Sequence, residues 1–177
     1  NMDFILLFYY LIVFISGLCI GSFLNCVIYR LEQNKKITGR SFCPRCKHNL
    51  SWQDLAPVFS FLFLRGKCRY CKKKISIQYP LVEIATGLVF LLIFNFVILN
   101  FSNNDLIFKF LNTAFLFYIA SSLIIIFVYD LKHYLIPDKV LFPAIIITFF
   151  YRLFENFSIG SFDENWKLVI GNYLLAV

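Results

Sequence analysis

The sequence predicts an all-α polytopic membrane protein with at least four to five transmembrane helices and a cysteine-bearing loop between the first and second. Three observations predict it. Apolar residues make up 60% of the 177 positions, with 23 phenylalanines, while charged residues reach only 15%. A soluble domain carries about a quarter charged residues, so this chain has too little polar surface to coat a globule. The apolar residues fall in long runs, and runs of about 20 are the length of a membrane span. The basic residues gather in one segment, which also holds four of the six cysteines.

The first run covers residues 4–28, with no positive charge in the Asn1-Met2-Asp3 leader and no small-residue cleavage site after it. It is expected to stay as an anchor rather than to be removed as a signal peptide. Gly17 and Gly21 within it form a small-xxx-small pair of the kind that lets membrane helices approach closely. Further runs cover 80–99, 110–129 and 140–154, the last short enough to be tilted or shielded by its neighbours. Another apolar stretch begins near Trp166 and continues to Val177, which suggests a chain that extends further. The organisation expected is a first span over 1–29, a basic loop over 30–79 and a bundle of membrane helices over 80–177.

Between Arg30 and Tyr79 stand twelve Lys/Arg and two Asp/Glu, a charge of +10. The whole chain carries +7, so all other residues together carry −3. Lys and Arg concentrate on cytosolic loops, which places this loop inside and the N-terminus outside, in a bacterial inner membrane. The other loops agree: 102–105 and 158–165 are poor in basic residues, while Lys132, His133 and Lys139 share the inner side. A basic loop also raises the question of nucleic acid, but no recognition motif accompanies it. Contact with anionic lipid headgroups is the simpler account, so membrane lipid is expected as a partner and nucleic acid is not.

Four cysteines form two pairs, Cys43-Pro44-Arg45-Cys46 and Cys68-Arg69-Tyr70-Cys71, with 21 residues between them. Each Cys-x-x-Cys turn aims two thiolates at one point, and two turns complete a sulfur tetrahedron that suits structural zinc. Arg45, Lys47, Lys67, Arg69 and Lys72 around the turns offset the thiolate charge. Disulfides do not suit a loop assigned to the reducing cytosol. Tetrahedral sulfur also accepts iron, an alternative the spacing leaves open. Cys19 and Cys26, inside the first span, read as packing residues.

Ionisable residues at membrane depth are functional candidates by default. Glu83 follows Pro80 by three residues; it reads either as a carboxylate favoured by a helix N-terminus or as one facing a polar cavity. Asp130 closes the third run, where the helix dipole disfavours an anion, and burial there would suit a proton-shuttling group. The structural alternative is a salt bridge to Lys132 or His133. Asp138, after Ile136-Pro137, reads as the N-cap of the next helix.

Taken together these segments resemble the type IV prepilin peptidase family. The resemblance rests on Gly21-Ser22-Phe23-Leu24-Asn25 with Val27-Ile28-Tyr29-Arg30-Leu31, on Cys43-Pro44-Arg45-Cys46, and on Leu50-Ser51-Trp52 with Pro57-Val58-Phe59-Ser60. Arg65-Gly66-Lys67-Cys68, Tyr79-Pro80-Leu81-Val82-Glu83 and the stretch from Asp130 to Asp138 continue it in order. It implies a membrane aspartic endopeptidase that removes the leader of prepilins or pseudopilins at the cytosolic membrane face. Asp130 would be one catalytic carboxylate, sharing a proton with a second in a Gly-x-Gly-Asp motif. Glu83 and Asp138 would support it. The family also implies N-methylation of the new N-terminus with S-adenosylmethionine. Two departures stand out. No Gly-x-Gly-Asp occurs, so the second aspartate is expected beyond Val177 and the 177 residues by themselves are expected to be inactive. Lys47 and Lys72 follow the cysteine pairs where zinc knuckles often carry glycine. A non-enzymatic assembly factor that docks through the cysteine loop is the competing reading, and the oligomeric state is not legible.

Overall fold

The computed structural model of the chain describes residues 2–36, 38–100 and 106–159. The apolar stretch from Trp166, the loop at 102–105, and Asp163 and Glu164 lie outside the described residues. The described residues form five α-helices and one 3-10 turn and contain no strand beyond two isolated bridges. Helix α1 runs Met2–Glu32, α2 is the single turn Phe59–Phe63, and α3 runs Gln78–Asn100. Helix α4 covers Leu106–His133, and α5 covers Asp138–Ile159. The helices α1, α3 and α4 are long and apolar enough to cross a membrane. Helix α5 matches the short fourth run and carries Pro143 inside it.

Large apolar side chains stand exposed along α1, α3, α4 and α5, from Phe4 and Leu7 to Phe149 and Phe150. A water-soluble fold would not tolerate so much bare apolar surface. In a bilayer it is the lipid-facing side, and a helix is suited to it because its backbone hydrogen bonds close within the segment.

Helix α1 packs chiefly against α3, α4 packs on both, and α5 packs on α4. The α1–α3 contact is set by glycine. A Cβ on Gly17 would come within 2.7 Å of the Gly87 Cα, and one on Gly21 within 2.7 Å of the Glu83 Cα. Only hydrogen fits between the backbones at both points, so the small-xxx-small pair works as the sequence suggests. Leu24, Val27, Ile28 and Leu31 of α1 then bury against Val82 of α3 and Ile125 of α4, at the end of the bundle nearest the cysteine loop. Farther along, Phe90 is fully buried and stacks on Phe117 with ring centroids 3.9 Å apart. Polar side chains on the helices find partners: Tyr10 donates to the exposed Asn95 at 2.8 Å, and Tyr151 donates to the buried Asn112 at 3.3 Å.

Helix α4 ends where Tyr134 turns into the left-handed region (φ 53°) and its N–H bonds the Asp130 carbonyl. The chain then re-enters a helix at once. The first carbonyl of α5 to accept a helical bond is that of Pro137, so Pro137 holds the cap position and Asp138 is the first residue inside. The N-cap expectation for Asp138 is thereby corrected by one residue. Its carboxylate still lies in the first turn, the end of the dipole that favours an anion.

Candidate metal centre and the cavity beside it

The two cysteine pairs fold into twin knuckles. In the first, the Cys43 N–H bonds the His48 carbonyl at 3.0 Å and the Lys47 N–H bonds the Cys43 carbonyl at 2.8 Å. In the second, the Cys68 N–H bonds Lys73 at 2.9 Å and the Lys72 N–H bonds Cys68 at 3.0 Å. An isolated bridge closes each one, Phe42 to Asn49 and Lys67 to Lys74. Both knuckles need a residue in the left-handed region after the second cysteine. Lys47 and Lys72 occupy it with φ of 58° and 57°, so the turn survives without glycine.

The Sγ atoms of Cys43, Cys46, Cys68 and Cys71 all lie within 4.8 Å of one another. Tetrahedral zinc with Zn–S bonds of about 2.3 Å requires sulfurs roughly 3.8 Å apart, so the donor set fits a metal ion and is compatible with zinc. Cys43 and Cys68 are buried, Cys71 is half-buried and Cys46 is exposed. Burial opposes ionisation of the Cys43 thiol. The backbone N–H groups of Cys46 and Arg45, with the thiols of Cys46 and Cys68, outweigh it and bring Cys43 down to about 7. At Cys46 the backbone N–H of His48 favours the thiolate, but burial and the neighbouring Cys43 and Cys71 sulfurs push it up to about 11. A cation at the centre would favour the thiolate form of its ligands. Cys19 is exposed and Cys26 is half-buried beside Ser41, both away from this cluster.

A carboxylate that the sequence did not single out ties the knuckles to the rest of the loop. Asp54, in the 3-10 turn Trp52–Leu55, accepts the Ser51 N–H at 3.2 Å, the Ser51 hydroxyl at 2.8 Å and the Arg69 Nε–H at 2.7 Å. The Tyr70 hydroxyl adds a longer bond at 3.4 Å, and the Tyr70 ring lies over His48 with centroids 3.7 Å apart. Since Arg69 and Tyr70 sit between Cys68 and Cys71, Asp54 holds the second knuckle, and Tyr70 leans it on the first. Burial alone would push the Asp54 carboxyl up, but Ser51 and the Arg69 guanidinium outweigh it and hold it below its ordinary value of 3.8.

Beside the metal centre is a cavity of about 590 Å³. Ser22, Asn25 and Tyr29 of α1, Cys43 and Cys68 of the loop, Tyr79 and Glu83 of α3, and Lys132 of α4 all contribute to its wall. Glu83 is 7% exposed; its Oε2 accepts the Val58 N–H at 2.7 Å, and the Ser22 hydroxyl bonds the same carboxylate. Val58 has φ 59° and ψ −49°, and the Phe59 N–H reaches back to the Pro57 carbonyl at 2.5 Å. That is a γ-turn of the strained hand, held at a β-branched residue. Glu83 thus fixes the loop to the bundle as well as facing the cavity.

The remaining acids lie elsewhere. Asp130 sits in the last turn of α4 and is exposed, so the burial expected for it is not found. The salt-bridge alternative is not found either, because Lys132 turns to Glu32 of α1 at 2.7 Å and His133 lies 3.8 Å from the same oxygen. Among the described residues no ion pair holds the Asp130 side chain. Asp138 is exposed at the start of α5, four residues beyond the Tyr134 turn.

Apolar helices of membrane-spanning length closed at one end by a four-cysteine cluster that could hold a metal ion define a polytopic membrane protein. The comparisons narrow the class. Residues 15–97 match the family model described as Bacterial Peptidase A24 N-terminal domain. The chain is 34% identical to the Prepilin leader peptidase/N-methyltransferase of Vibrio cholerae over 95% of its own length and 69% of that protein. Shorter stretches are 52% identical to the protein of that name in Myxococcus xanthus (44% of this chain, 24% of the relative) and 47% identical to the one in Klebsiella pneumoniae (45% and 38%). The chain belongs to the prepilin leader peptidase/N-methyltransferase family. It spans a quarter to about two thirds of the length of these three relatives. No solved structure matches it.

Proposed function

We propose that the protein is a membrane aspartic endopeptidase of the bacterial inner membrane, with the cysteine loop cytosolic and the N-terminus outside. Its substrates are type IV prepilins or pseudopilins, whose leader it removes at the cytosolic face, and it then methylates the new N-terminus with S-adenosylmethionine. The observation that carries this reading is the identity with the Vibrio cholerae relative along almost the whole chain. Asp130 acts as one catalytic carboxylate, and its partner belongs to a Gly-x-Gly-Asp motif that these 177 residues do not contain. Two close carboxylates share one proton, so one is the base that activates water and the other the acid that protonates the departing amine. The exposed position of Asp130 at the end of α4 supports the reading, since a peptide entering from the loop side can reach it.

Cys43, Cys46, Cys68 and Cys71 hold structural zinc. Four protein ligands leave no open position, so the ion cross-links the knuckles and takes no part in hydrolysis. Glu83 is a positioning residue that anchors the loop on α3, and Asp138 favours the start of α5. The test is leader removal by the full-length protein with Asp130→Asn. Cleavage should stop while the variant accumulates in the membrane and retains its zinc. Undiminished processing would remove Asp130 from the mechanism.

A further inference from the structure

One polar atom in the cavity wall is explained neither by the metal centre nor by helix packing. Asn25 is 2% exposed, and its Nδ2 donates to the Tyr79 carbonyl at 3.0 Å. Its Oδ1 is buried and accepts no hydrogen bond from the described residues. A buried carbonyl oxygen left without a donor opposes folding, and on a residue that lines a cavity a small turn of the amide would offer it to a ligand that brings an N–H. Glu83 is close to it in the fold. Ser22 and Asn25 are three residues apart on one face of α1; Ser22 bonds Glu83, and Asn25 bonds Tyr79, one turn before Glu83 on α3.

The charges of the cavity are arranged unevenly. Three basic groups in its wall are engaged, Arg30 with the Gly39 and Arg40 carbonyls, Lys132 with Glu32, and Arg69 with Asp54, while Arg45, Lys73 and Lys74 line it from the two knuckles. Glu83 receives neutral donors only, and among the described residues no basic side chain pairs with it. A carboxylate without a cation and a carbonyl oxygen without a donor, on two residues that line one cavity, are complementary to a cation that carries several N–H groups. We propose that this end of the cavity, formed by Asn25 and Glu83, binds a primary ammonium group. The inference deepens the proposed function and rests on it, because two molecules in that chemistry carry such a group. One is the peptide, whose α-amine is released by cleavage; the other is S-adenosylmethionine, through its amino-acid end.

The experiment measures binding to the zinc-loaded full-length protein with two matched pairs of probes. The first pair is a short apolar peptide with a free N-terminus and its N-acetyl twin. The second is S-adenosylmethionine and its analogue lacking the α-amino group. In one pair the amine form should bind at least about tenfold more tightly. Asn25→Leu and Glu83→Gln should each cut that advantage to about threefold or less, while Tyr10→Phe, at the far end of α1, should keep it. The pair that responds identifies the source of the ammonium. Indifference to the amine in both pairs, or an advantage that survives in Glu83→Gln, overturns the proposal; that variant preserves side-chain shape and keeps an oxygen for Val58, so it stands if Asn25→Leu does not fold. A protein that discriminates amines but never cleaves a leader would refute the proposed function and leave the site intact. One that cleaves and methylates without amine discrimination would do the reverse.

Discussion

Replacing Asp54 with alanine should loosen the metal centre, although no ligand is touched. The side chain is 3% exposed, and it accepts two bonds from Ser51 and one from Arg69, at 3.2, 2.8 and 2.7 Å. A hydrogen bond to a charged group is worth about 1.5–3 kcal/mol where both partners are buried. Arg69 is 45% exposed, so water replaces much of what it loses, and its share is nearer 0.5 kcal/mol on the scale of exposed ion pairs. The Ser51 pair brings the total to roughly 2 kcal/mol. Metal binding and folding of a small knuckle are coupled, so the loss should appear as zinc affinity weakened about 30-fold. Competition with a chromophoric chelator at neutral pH reads that number directly. The pH dependence gives an independent sign. Asp54 is more acidic folded than unfolded, so its contribution is complete above its ordinary value of 3.8 and disappears as pH falls through the lower folded value. The gap between wild type and Asp54→Ala should therefore stay constant from pH 7 to pH 5, even as protons compete for the thiolates in both. A zinc affinity within threefold of wild type, or a gap that closes by pH 5, would refute the clamp.

Purified protein should contain one zinc per chain, and Cys43→Ser with Cys46→Ser should lose it; a visible charge-transfer band from iron would contradict the assignment. Lys72→Gly should bind zinc about two- to fivefold more tightly than Lys72→Ala, since both lose the charge but only glycine is free at φ 57°, a difference of about 0.5–1 kcal/mol. Gly21→Ala should cost about 1–3 kcal/mol, because its Cβ meets the Glu83 Cα at 2.7 Å and backbone cannot yield like a side-chain tip. A lower thermal midpoint in detergent would show this, and an unchanged midpoint would mean that α1 and α3 are not held at that distance.

Features encoded locally were legible before the fold was known. Apolar runs gave the positions of α1, α3, α4 and α5, and the spacing of Cys43, Cys46, Cys68 and Cys71 gave one four-sulfur centre. Both signals depend only on neighbours along the chain. Asp54 gave no such signal: one of two acids among twelve basic residues reads as a solvated side chain until the second knuckle folds back to it. Asp130 failed in the opposite direction. An acid ending an apolar run reads as buried, but nothing in the run says which face of α4 the neighbouring helices cover, and that carboxylate is exposed.

Asn25 was the most available of the missed residues. It lies four residues beyond Gly21, which lies four beyond Gly17, so all three fall on one stripe of α1. The glycines announce that this stripe meets another backbone. A polar amide continuing it must then be buried at the same contact, where it has to find partners from α3 or from a ligand. The Tyr79 carbonyl takes the Nδ2 donor and nothing among the described residues serves Oδ1. The stripe that brings the helices together by its glycines therefore ends, at the cavity, in a half-satisfied amide beside Glu83. Close packing at Gly21 is what sets the distance between the two, so Gly21→Ala should weaken the ammonium preference as well as the fold. A variant that kept the full preference with its helices measurably spread apart would sever the packing from the site.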